Sequence, residues 1–101
     1  MQLPTKADFL QQVEKMFRAV PPDAPAFDLT LITVDEIADS DSHETFSLLF
    51  RAPIETPAVQ AIYSVESETL GQLDLFLVPV EKNDKGLFFE AIFNRVKRSE
   101  Q

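Results

Sequence analysis

Residues 73–93 read LDLFLVPVEKNDKGLFFEAIF, two apolar runs around a polar break. Asn83-Asp84-Lys85-Gly86 fits a type I turn followed by a glycine in the left-handed region, forming a bulge. Gly86 supplies the positive φ that a side chain resists. LDLFLVPV and GLFFEAIF are then the two arms of one β-hairpin. Pro79 interrupts the first arm and has no N–H to give to a sheet ladder. It lies near the end of its strand, which predicts an edge or a bulge, where the missing donor points outward and also blocks unwanted pairing.

Both arms are apolar on both faces. Leu75 and Leu77 alternate with Phe76 and Val78, and Phe88 stands beside Phe89. A sheet with one wet face alternates more cleanly than this. One face therefore lines a core, and the other meets a helix or a partner.

Upstream, Phe27 to Ile37 alternates as a strand with Phe27, Leu29 and Leu31 on one face. Glu44 to Ala52 places Phe46, Leu48 and Phe50 inward. Val59 to Glu66 groups Val59, Ala61, Tyr63 and Val65. DSDSH and SETLGQ are turns, and Pro53 and Pro57 bracket a loop. Regular turn signals suit an antiparallel meander or small barrel.

The first segment has helical spacing. Thr5 is an N-cap with Asp8 as its capping-box acid. Phe9, Leu10, Val13, Met16, Phe17 and Val20 form one apolar stripe. Pro21-Pro22 ends it, and PPDAP is a stiff connector. The predicted fold class is α+β: an N-terminal helix packed on a mainly antiparallel five-stranded sheet or small barrel. The predicted organisation is one domain over 1–101, with the helix in 1–20 and the β region in 27–97. A single helix covers only part of the second sheet face, which leaves an apolar patch.

The chain has 101 residues, a formal net charge of −8 and no cysteine. Disulfides, thiolate metal sites and cysteine nucleophiles are thereby excluded. The acidic balance speaks against a nucleic-acid or anionic-membrane partner, since both need a basic surface. MQLPTKADFLQQ shows no apolar signal-peptide core, and no run approaches the ~20 residues that span a bilayer. A cytoplasmic location is the expectation.

Catalytic constellations are hard to assemble from these residues. The two glycines, Gly71 and Gly86, are too far apart for a phosphate-binding loop. His43 is the one histidine and falls in a polar turn. In DEIADSDSHE (35–44), Asp39, Asp41 and His43 alternate as cation ligands do. A calcium loop needs glycine at its sixth position and glutamate at its twelfth. Counted from Asp39, those positions hold Glu44 and Phe50. The stretch reads as a solvated acidic turn. Glu66, Glu68 and Glu90 read as strand-edge charges. Arg51, on an otherwise apolar strand, either pairs with an acid at a barrel rim or meets an anionic group on a partner. The basic tail of Arg95, Lys97 and Arg98 is too small for a nucleic-acid site. No catalytic residue, cofactor or metal ligand is assigned.

FSLLFRAP (46–53), IYSVES around Tyr63, LGQLDLFLVPV (70–80) and FFEAIFN (88–94) together resemble an uncharacterised bacterial family, a domain of unknown function. The resemblance runs from about Phe27 to Val96. It departs at Phe89, where tyrosine is expected, and at Ala52-Pro53, where glycine-proline is common. It implies a small, mainly β bacterial domain associated with phage-tail-like neighbours, and it transfers no catalytic residue.

The expected function is a non-enzymatic interaction or assembly domain. Its partner is another protein or a second copy, met through Arg51, Phe76, Val78 and Phe88 at a sheet edge or the uncovered face. The alternative is a small-molecule-binding β-barrel or minor enzyme, with Arg51, Tyr63 and Glu90 as its polar groups.

Overall fold

The computed structural model describes residues 4–96. One short helix, α1 (Lys6–Leu10), precedes six strands: β1 (Met16–Val20), β2 (Phe27–Asp39), β3 (His43–Ala52), β4 (Ala61–Ser67), β5 (Gly71–Asn83) and β6 (Gly86–Val96). Every pairing is antiparallel, in the order β1-β2-β3-β6-β5-β4. β1 also pairs with β4, so the sheet closes on itself as a barrel. The chain is thus mainly β, with six strands rather than five.

The additional strand comes out of the segment expected to be helical. The Thr5 cap forms as predicted: its hydroxyl accepts from the Asp8 N–H at 3.1 Å, and its own N–H donates to the Asp8 carboxylate at 2.9 Å. The helix then stops at Leu10. Glu14 takes φ +72°, and its N–H donates to the Leu31 carbonyl at 2.7 Å. The Leu31 N–H donates in turn to the Lys15 carbonyl at 3.2 Å. From there MFRAV runs as a strand, with Phe17 and Ala19 buried and Met16 and Arg18 exposed. Tertiary pairing overrides helix spacing here, because β1 supplies hydrogen-bond partners to β2 and β4 and so removes two open edges. The apolar stripe is split accordingly. Phe9 and Phe17 both reach the core, while Leu10 and Met16 face solvent.

The remaining strands keep the expected faces. Leu29, Leu31, Phe46, Leu48, Phe50, Val65, Leu77 and Phe89 are fully buried, and Tyr63 and Leu75 nearly so. Val59 instead lies exposed before β4 begins. Side chains fill the barrel, as expected for so few strands. Their aromatic rings form three groups along its length. Phe9, Phe46 and Phe93 pack together at one end, with centroids 5.2–5.7 Å apart. Phe17 and Phe50 meet edge-on at 5.3 Å. Phe27, Tyr63 and Phe89 gather at 5.8–6.0 Å at the other end.

The strands have unequal lengths, and the molecule is elongated, 49 × 24 × 22 Å. Past Leu31, β2 pairs only with β3; past Leu77, β5 pairs only with β6. Pro79 sits just beyond the last β4 partner, and the β5–β6 register shifts between Pro79 and Glu81. It therefore occupies a break on an overhanging strand, as the sequence predicted. The bulge of this hairpin lies at that shift and not at Gly86. Asn83 pairs with Gly86 across a two-residue turn, and the Asn83 side chain accepts from the Lys85 N–H at 2.8 Å. Gly86 does have positive φ, +148°, outside the left-handed helical well. Close approach explains the glycine, since a Cβ there would lie 2.4 Å from the Ala52 carbonyl oxygen.

Candidate functional site

All four residues predicted to meet a partner lie on the outer wall of the barrel. Phe88 stands between Arg51 of β3 and Glu81 of β5. Glu90 stands between Leu49 and Val78, and Phe76 is opposite Ile62 of β4. Alternate residues of a strand share a face, so Phe76, Val78, Phe88, Glu90 and Ile92 point outward together. Phe76 is 50% exposed, Ile62 63% and Ile92 56%, whereas Val78, Phe88 and Arg51 are half-buried by their neighbours. α1 does not cover this wall, contrary to the expectation for the N-terminal helix. Its Phe9 turns into the end of the barrel instead.

Arg51 does not form the acid pair expected at a rim. Among the described residues the ion pairs are Lys6–Glu36 at 2.7 Å and Arg95–Glu44 at 3.3 Å. The stem of Arg51 instead passes close over Gly86, where an added Cβ would lie 3.1 Å from its Cγ. Arg51, Tyr63 and Glu90, grouped by the alternative reading, do not converge. Tyr63 is buried inside the barrel, while Arg51 and Glu90 lie outside it. His43 is exposed at the start of β3, its Nδ1 3.0 Å from the Ser42 hydroxyl. Among the described residues, no group of acids and histidine is placed to hold a metal ion. Lys97 and Arg98 of the basic tail lie outside the described residues.

A second feature was not foreseen. At the end of the barrel away from α1, the β1–β2 connection (21–26) and the β3–β4 connection (53–60) frame an apolar pocket of about 630 Å³. Pro21, Pro22, Pro25, Pro53 and Pro57 line it, five of the chain's seven prolines. Phe27, Ala61 and Tyr63 complete the wall below, and Asp23 and Glu55 are its charged residues. Internal hydrogen bonds hold the loops. The Thr56 N–H donates to the Pro53 carbonyl, and the Val59 N–H to that of Pro57, each at 3.0 Å. The Tyr63 hydroxyl donates to the Val59 carbonyl, and burial pushes its phenol above the ordinary tyrosine range. The sequence signal for this site was the crowding of proline into two glycine-free loops, which reads locally only as stiff connectors. Nothing local shows that the two loops meet.

The chain matches the family model of a domain of unknown function (DUF6916) over residues 4–93, most of its length, and it belongs to that family. The match takes in the N-terminal segment as well as the strands that carry the resemblance. No curated protein and no solved structure matches the chain.

Proposed function

We propose that this member of DUF6916 works by binding and not by catalysis, as an assembly domain that associates with a second copy through the outer wall of β4, β5 and β6. The observation that carries this reading is the row of large apolar side chains left in solvent there, led by Phe76, Ile62 and Ile92. Scattered exposed apolar residues are ordinary, but a contiguous apolar face on a soluble chain marks an interaction surface. The exposed groups of this wall are side chains, and these would make the contact. A two-fold arrangement would set the wall of one copy on that of another. The setting we favour is a larger assembly of the phage-tail-like kind associated with the resemblance.

Light scattering over a concentration series tests the reading. The expected result is a mass that rises above the monomer and returns to it in Phe76→Glu, with the circular dichroism spectrum unchanged. Copies carrying −8 each repel one another at low ionic strength. Added salt should therefore strengthen the association, because it screens that repulsion and leaves apolar contact in place. A mass that stays monomeric at every concentration and salt level would sink the proposal.

A further inference from the structure

The proline-framed pocket has no part in the wall just described, and its chemistry selects a different kind of occupant. We infer that it binds a small organic cation with an apolar body, such as an aryl- or alkyl-ammonium compound.

The body follows from the walls. Five proline rings, Phe27, Ala61 and Tyr63 offer apolar surface around about 630 Å³. That volume falls within the roughly 300–1,000 Å³ typical of small-molecule sites. Several groups of this lining offer no donor to a ligand. The five prolines carry no N–H, and the N–H groups of Thr56 and Val59 are already given to Pro53 and Pro57. The Tyr63 hydroxyl has likewise given its proton to Val59.

The charge follows from what remains. The charged lining residues are Asp23 on one loop and Glu55 on the other, both acidic. An anion would meet two carboxylates. An ammonium group would meet two acceptors at the mouth, while its apolar part displaced water from the ring surfaces. Proline also fixes φ in both loops, so little conformational freedom is left to lose on binding.

Three ligands of like shape test this on the full chain by amide-resolved NMR titration: 2-phenylethylammonium, 2-phenylethanol and phenylacetate. The expected result is saturable shifts at Ala24, Ala26, Glu55 and Tyr63, strongest with the ammonium compound and absent with the carboxylate. Glu55→Gln and Asp23→Asn should each weaken the ammonium compound by up to about fivefold, the upper range for an exposed ion pair. Neither change should alter binding of the alcohol. Three results would overturn the inference: no saturable shift with any ligand, phenylacetate binding as well as the ammonium compound, or an ammonium affinity indifferent to both substitutions. The wall variant Phe76→Glu should bind 2-phenylethylammonium unchanged, which separates this inference from the association proposed above.

Discussion

The two ends of the barrel are finished in different ways. At one end Phe9 leaves a single turn of helix, enters the barrel and packs on Phe46 and Phe93. At the other end the loops stand around the mouth as a stiff frame, and Phe27 and Tyr63 line the pocket that opens there. One end is closed by a side chain, the other shaped by backbone. A small barrel must exclude water from its interior, and a plug does so by burying apolar area. A proline frame holds a hollow instead, because its loops are too stiff to collapse inward. Water is thus excluded at one end by a buried ring, while the other end keeps a preformed hollow.

The largest effect should come from removing the plug. Phe9→Ala deletes a fully buried ring and should lower unfolding free energy by about 3–5 kcal/mol in urea titrations. Pro25→Ala in the frame should cost less than about 1 kcal/mol, mainly through the unfolded state. Equal costs at the two sites would erase the distinction between the ends.

The glycines sharpen the comparison next. Gly86→Ala, at the framed end, forces a Cβ against the Ala52 carbonyl at positive φ. A loss toward about 3 kcal/mol is expected. Gly71→Ala, at the plugged end, meets open space at φ +82° and should lose only about 1 kcal/mol. Thermal melts of both variants under one buffer would show whether that order holds.

The smallest effect concerns pH. Burial raises the Tyr63 phenol, so the folded chain keeps its proton after the unfolded chain has released it. This contribution is complete below the ordinary tyrosine value of about 10 and is lost as pH rises through the folded value. Between about pH 9 and about pH 11 the urea midpoint should fall further in the wild type than in Tyr63→Phe. Lys6 is also raised, by its hydrogen bond to Glu36 and the field of Glu36, Glu44 and Asp39, with desolvation opposing. That contribution is common to both proteins and leaves their difference to the phenol. At neutral pH, Tyr63→Phe should cost about 1 kcal/mol for the lost bond to Val59.

β2 to β4 were legible in the sequence because inward and outward residues alternate, as in Phe46, Leu48 and Phe50, and β5 and β6 because two apolar runs flank the Asn83–Gly86 turn. β1 was not, because Phe9, Val13, Met16, Phe17 and Val20 also satisfy helical spacing. What decides between them is the Leu31 backbone and the open edges of β2 and β4, which lie far away in the chain. The outer wall could be named from alternation alone, at Phe76, Val78 and Phe88. Its lack of a covering helix could not, because that depended on where Phe9 went. The pocket depends on ring closure bringing residues 21–26 beside 53–60, a relation that no local pattern carries.

The chain has one tyrosine and no tryptophan, and its nine phenylalanines emit only weakly. Nearly all of its intrinsic fluorescence therefore arises from a single ring in the wall of the framed pocket. Events at that mouth can be followed without attaching a dye. Events at the plugged end, whose aromatic cluster is phenylalanine alone, pass optically unseen until the whole barrel opens.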